Sequence, residues 1–74
     1  MEKDILVEFG KTLRKLRTEK HISQEAFAAI CNLHRTYISD VELGKRNVSL
    51  ENIKRMSDAL EMNISDLFLE VENQ

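Results

Sequence analysis

The side chains of this sequence that are best equipped for chemistry are hydrogen-bond donors, and they lie near the middle of the chain. Arg35, Thr36 and Ser39 fall within five residues of one another, and a guanidinium beside two hydroxyls can bind acceptor groups. Catalysis would need a nucleophile with its base, a glycine-rich phosphate loop or paired carboxylates in a cleft. The sequence shows none of these patterns, so we expect a binding protein that is not an enzyme and needs no cofactor.

Histidine and cysteine are too few to suggest a metal site. His21 and His34 have no Cys or acidic partner at the spacing of zinc ligands, and we expect surface or capping roles for both. Cys31, the single cysteine, falls on an apolar position and predicts a small buried side chain. One thiol and no recognisable signal peptide predict a cytoplasmic location, and no apolar run is long enough to span a membrane.

Charge is distributed unevenly along the 74 residues, whose net charge is −2. Residues 11–46 carry eight Lys and Arg against four Asp and Glu, a net charge of +4, whereas residues 47–74 carry a net charge of −4. A basic segment joined to an acidic one can present a single face to a polyanion, although charge runs often only solvate a helix. Charge alone therefore does not decide between a nucleic-acid partner and an ordinary polar surface.

The spacing of apolar residues predicts an all-α fold of five helices in one compact domain over residues 1–74. We expect helices over about 3–20, 24–31 and 35–43, with Gly44 ending the third. Two serines mark the later helix starts: Ser49 before the fourth helix and Ser65 before a short fifth one. The apolar stripe of the fourth helix would be Leu50, Ile53, Met56 and Leu60.

Residues 24–43 have the pattern of two helices that cross through a short turn. Ala28 supplies the small side chain that such a crossing needs, and Asn32 tolerates the left-handed backbone of the turn. The apolar residues that would hold the pair against a core are Phe27, Cys31, Leu33, Ile38 and Val41. Together these positions predict a helix-turn-helix motif.

On these residues the chain resembles the Cro/C1-type (XRE) helix-turn-helix regulators, over about residues 7–69, which implies a lambda repressor-like fold. Within that family it is most similar to the controller proteins of restriction–modification systems, in the stretch 33–42 and at Arg46 and Asn47. It departs from the common pattern at Asn32, where glycine is more usual, and in its acidic net charge. The resemblance implies a transcriptional regulator that binds a pseudo-palindromic operator in double-stranded DNA.

The resemblance also implies that the third helix enters the major groove. Arg35 would contact a guanine, since a guanidinium matches O6 and N7, and Thr36 and Ser39 would reach other base edges. Asp40 could accept from cytosine N4, although a carboxylate near phosphates is unfavourable. The residues expected to contact phosphates are Gln24, Tyr37, Arg46 and Asn47.

Two structural expectations follow as well. The resemblance implies an ion pair between Arg17 and Glu42, which removes Arg17 from the DNA contacts. A chain this short forms a marginal monomer, and the fifth helix is too short to bury all its apolar residues alone. We therefore expect a homodimer, although the fifth helix could instead close the core of one protomer. The expected interface residues are Ile64, Leu67, Phe68 and Val71.

Alternative functions remain open from the sequence. A phage or plasmid repressor, or an antitoxin, would use the same mechanism, and RNA polymerase would be a further partner of an activator. A protein-interaction module of this fold would more often carry apolar groups at the exposed positions of the third helix.

Overall fold

The computed structural model describes residues 4–73, which form a bundle of five α-helices around one core. The helices are α1 (Ile5–Glu19), α2 (Gln24–Cys31), α3 (Arg35–Glu42), α4 (Leu50–Ala59) and α5 (Ile64–Glu72). Over the described residues there is no strand, and no helix is both long and apolar enough to cross a membrane. The predicted all-α fold is confirmed; the expected start of the first helix at position 3 lies outside the described residues.

Three helices begin at a polar side chain that accepts a backbone hydrogen bond. The side-chain oxygens of Asp4, Ser23 and Ser49 each accept from an N–H in the first turn, at 2.9, 3.0 and 3.1 Å. The predicted cap at Ser65 is wrong. Asn63 is the N-cap of α5, without a side-chain hydrogen bond to the helix, and its extended backbone starts the helix two residues early.

Four helices end in the same left-handed turn. The residues with positive φ just past these helices are His21, Asn32, Gly44 and Glu61. Each turn is closed by a bond from the next N–H to a carbonyl five residues back, as from Leu33 to Ala28 at 2.9 Å. This geometry sets the angle at which α3 leaves α2.

Each helix contributes a fully buried apolar side chain to the core. These side chains include Leu13, Phe27, Ile38, Met56 and Leu67. Cys31 is buried among them with its Sγ 3.9 Å from the carbonyl of Arg55. Burial raises the pKa of the Cys31 thiol to about 11, against a smaller opposing influence of the Arg55 charge. The thiol therefore acts as a small packing group, as its apolar position predicted.

Two expectations about packing are wrong. Leu50 is 74% exposed, because it is the first residue of α4 and its side chain lies beyond the packed turns. Leu67 and Val71, which were expected at a dimer interface, are instead buried within the protomer. Spaced one turn apart, they face α1 and α4, which leaves Ile64 and Phe68 half-buried beside them.

Candidate nucleic-acid interface

α3 divides its side chains between the core and the solvent. Ile38 and Val41 are buried, whereas Arg35 and Thr36 are exposed and Ser39 is half-buried. The last three share one face, because residues three and four apart are neighbours on a helix. The structure thus brings the three predicted base-contacting side chains together on an outward face.

Gly10 allows the backbone of α1 to approach the last turn of α3. A Cβ at this position would lie 2.7 Å from the carbonyl oxygen of Glu42 and would also overlap the carbonyl oxygen of Val41. A glycine in the middle of a helix lowers its stability. Here the absence of a side chain lets α3 pack directly on α1, and this contact fixes α3 on the side that faces α1.

A buried ion pair also holds the last turn of α3. Arg17 donates from Nε to Glu42 Oε2 at 2.6 Å and from Nη2 to Oε1 at 3.0 Å. Its Nη1 donates to the carbonyl of Ile22 at 2.7 Å, and the two side chains are 9% and 3% exposed. The ion pair implied by the family resemblance is present, and it joins α1 and the following turn to α3.

Gln24, a predicted phosphate contact, belongs to the same network. Its Nε2 donates to Glu42 Oε1 at 3.0 Å, and the residue is half-buried at the start of α2. Nε2 carries a second N–H, and the first turn of a helix favours anions. A phosphate contact at this point would therefore be held in place by the buried pair.

A second group of side chains surrounds Arg46, in the segment between α3 and α4. Its guanidinium lies over the ring of Tyr37, 5.2 Å from the centroid, and its Nε is 3.5 Å from Asp40 Oδ2. The Tyr37 hydroxyl accepts from Asn52 Nδ2 at 3.1 Å, which anchors the ring to α4. We call Tyr37, Asp40, Arg46 and Asn52 the Arg46 cluster.

The turn at Gly44 brings Arg46 back beside α3. Gly44 has a φ of 76°, and a Cβ there would lie 2.9 Å from Val7 Cγ2. The Lys45 N–H donates to the carbonyl of Asp40 at 2.9 Å and closes the turn. Asn47 is exposed just beyond, at the edge of an apolar groove.

Sequence reasoning missed two members of the Arg46 cluster. The sequence predicts only an unfavourable base contact for Asp40, and it gives no signal for Asn52. Asp40 and Arg46 are six residues apart across a helix end, a spacing that predicts no contact unless the turn between them is known. The Gly44 turn was the available signal, since it predicted where the chain reverses.

The described residues offer no other site of comparable definition. Within 4–73, no three His, Cys, Asp or Glu side chains converge as metal ligands. Every buried side-chain polar atom in that range has a hydrogen-bond partner. The candidate site itself consists of exposed donors and cations, with Arg35 and Thr36 on α3 and Arg46 just after it.

Known proteins resemble this chain in sequence and in fold. A model of the helix-turn-helix family matches residues 13–67. The control protein C.MunI of Mycoplasma sp is 50% identical over 72 residues, which cover 96% of this chain and 97% of that protein. The crystal structure of the restriction–modification controller protein C.AhdI from Aeromonas hydrophila is 49% identical, with a TM-score of 0.83, over 85% of this chain and 96% of that one. This chain belongs to the helix-turn-helix family of restriction–modification controller proteins.

The family includes a member solved on DNA. The tetramer of the controller protein C.Esp1396I, crystallised with its natural 35 base-pair operator, is 30% identical to this chain with a TM-score of 0.88. The match covers 97% of this chain and 95% of that one. The predicted membership of the controller family is thus confirmed in sequence and in fold.

Proposed function

We propose that this controller-family protein is a sequence-specific transcriptional regulator of restriction–modification genes. It binds a pseudo-palindromic operator as a homodimer, with α3 of each protomer in the major groove. The observation that carries the proposal is the outward polar face of α3, on a helix fixed by Gly10 and by the Arg17–Glu42 pair. The operator complex of C.Esp1396I supports it.

The side chains divide into base and phosphate contacts. Arg35, in the first turn of α3, donates two hydrogen bonds to a guanine, and Thr36 and Ser39 contact neighbouring base edges. The phosphate contacts are Gln24, Tyr37, Arg46 and Asn47. These fix the position of α3 along the duplex without selecting its sequence.

A second copy of the chain occupies the apolar groove beside α5. The groove has a volume of about 120 Å³ and is lined by Ile5, Leu6, Phe9, Asn47, Val48, Ile53 and Phe68. Ile5 is 56% exposed, and Phe68 packs on Phe9 with ring centroids 5.6 Å apart. Ile64 and Phe68 keep their proposed interface role, whereas Leu67 and Val71 support them from the core. The two recognition helices would lie about 34 Å apart, one turn of DNA.

Sedimentation tests the dimer. Phe68→Ala removes the ring that covers Phe9, and we expect a monomer at low micromolar concentration where the parent is dimeric. Ile30→Ala is the control, because Ile30 is an exposed apolar residue on α2. Circular dichroism reports whether each variant folds. A folded Phe68→Ala variant that is as dimeric as the control would place the interface elsewhere.

Four further assignments belong to this proposal. Residues 1–74 form a single domain, the protein acts in the cytoplasm without catalytic activity, and RNA polymerase is a partner if it activates transcription. The rival function, a protein-interaction module that does not bind DNA, would favour apolar side chains on α3. The exposed Arg35 and Thr36 favour DNA.

Selection from a random pool of duplexes tests the function directly. The parent should enrich a two-fold symmetric site, and Arg35→Ala should bind that site about 1–3 kcal/mol more weakly, with relaxed preference at one base pair. Lys54→Ala also removes one positive charge, from a residue paired with Asp58 on α4, and should keep the preference. Failure of the parent to enrich any sequence would contradict the proposal.

A further inference from the structure

Asp40 occupies an unfavourable place for an acid. It lies in the last turn of α3, where the helix dipole concentrates partial negative charge. The same turn ends in Glu42, and it contains no basic residue of its own. Glu42 has a structural role, because it forms the buried ion pair with Arg17. Asp40 instead forms a partly exposed pair.

The partner of Asp40 is a residue that we assign to DNA binding. The Asp40 and Arg46 side chains are 30% and 51% exposed, and Arg46 Nε lies 3.5 Å from Asp40 Oδ2. Tyr37 stacks on the same guanidinium, 5.2 Å from Cζ to the ring centroid. A ring and a carboxylate therefore hold the Arg46 side chain beside α3, with its charge largely balanced.

We propose that Asp40, acting through Arg46, restrains the binding of this protein to DNA of arbitrary sequence. The inference rests on the proposed function. Sequence-independent binding depends almost entirely on cations that displace counterions from phosphates. A phosphate that approaches Arg46 meets a balanced pair, and to take the guanidinium it must leave the Asp40 carboxylate unpaired beside the DNA.

The restraint leaves base recognition in place. Arg35 lies at the opposite end of α3 from Asp40, in the first turn of the helix. Its hydrogen bonds to a guanine depend on geometry rather than on net charge. An acidic side chain at position 40 thus limits the sequence-independent part of the binding and not the sequence-dependent part.

Salt titration of binding to a duplex of scrambled sequence tests the proposal. Asp40→Asn keeps the shape of the side chain and removes its charge. We expect the slope of the logarithm of the association constant against the logarithm of salt concentration to steepen by about 0.9 per protomer. This corresponds to roughly fivefold to tenfold tighter binding per protomer at 0.1 M salt. Asp58→Asn is the matched control, because it makes the same substitution in the Lys54–Asp58 pair on α4.

The same titration in an Arg46→Gln background separates the two ways in which Asp40 could act. Without the Arg46 guanidinium, Asp40→Asn has no cation to free for a phosphate. The change that it causes in the salt slope should therefore fall by at least half. An equal effect in both backgrounds would mean direct repulsion of DNA by Asp40 and would overturn the proposal. So would an effect no larger than that of Asp58→Asn, or a preference altered at a single C·G pair, which would make Asp40 a base contact.

Binding of the parent and of Arg35→Ala to the selected operator keeps the two proposals apart. If the parent binds the operator and Arg35→Ala loses preference, the proposed function stands and the Asp40 result is judged alone. If the parent binds no duplex, the proposed function fails first. Unchanged melting temperatures would show that Asp40→Asn and Arg46→Gln act on binding rather than on folding.

Discussion

The last turn of α3 contributes a carboxylate to each of two arginine–carboxylate pairs, and the two pairs differ in distance and in burial. In the first pair, Arg17 Nε lies 2.6 Å from Glu42 Oε2, and the two side chains are 9% and 3% exposed. In the second pair, Arg46 Nε lies 3.5 Å from Asp40 Oδ2, and the two side chains are 51% and 30% exposed. The first pair is almost entirely buried, whereas the second is partly exposed to solvent.

The difference shows how burial assigns a role to an ion pair. A buried pair that loses one member leaves an uncompensated charge away from water, so the remaining structure depends on both members. An exposed pair is screened by water and contributes little to folding. The buried pair therefore positions the recognition helix, while the exposed pair remains available to exchange its carboxylate for a phosphate.

Breaking the buried pair should have the largest effect. We expect Glu42→Ala to lower the free energy of unfolding by about 3–5 kcal/mol, because Arg17 is left buried without its counter-charge. Urea or thermal unfolding measures this. Asp40→Ala is the matched control, since it removes the carboxylate of the exposed pair, and it should cost less than about 1 kcal/mol. Equal losses for the two variants would contradict the comparison.

The close approach of α1 to the buried end of α3 gives the next largest effect. Ala has a higher helix propensity than Gly, yet Gly10→Ala should destabilise the fold by about 1–3 kcal/mol. Its Cβ would overlap backbone oxygens that cannot move independently. Lys11→Ala, at the next and exposed position of α1, should change stability little. A more stable Gly10→Ala variant would disprove the contact.

Removing the cation of the exposed pair should have the smallest effect on folding. We expect Arg46→Ala to change the free energy of unfolding by less than about 1 kcal/mol. It should weaken binding to operator and scrambled duplex by similar factors and flatten the salt slope by at most about 0.9 per protomer. Competition titrations at several salt concentrations measure both. Loss of preference at one base pair would instead make Arg46 a base contact.

The helix-turn-helix could be predicted because its geometry depends on a few residue types at fixed spacing. Ala28 at the crossing and Asn32 in the left-handed turn are visible in the sequence, and the structure has both where they were expected. His21 and Glu61 adopt the same left-handed backbone, but their residue types do not predict it. The turns that they form follow from the packing of the helices on either side.

Two features of the structure could not be predicted, for physical reasons. The burial of Leu67 and Val71 depends on how α5 lies against α1 and α4, which its length does not determine. The contact between Asp40 and Arg46 depends on the path of the chain through Gly44. Both are tertiary facts that the order of residue types along the chain does not show.

The left-handed turns at His21, Asn32 and Glu61 affect the equilibrium between the folded and unfolded chain. Side chains with a Cβ are strained in this conformation, by on the order of 1 kcal/mol each. The strain is released on unfolding, so the turns enlarge the unfolded fraction without altering the shape of the fold. In a cell, that fraction is exposed to proteases and governs abundance. Turn chemistry thus helps to set how much regulator is present to occupy an operator.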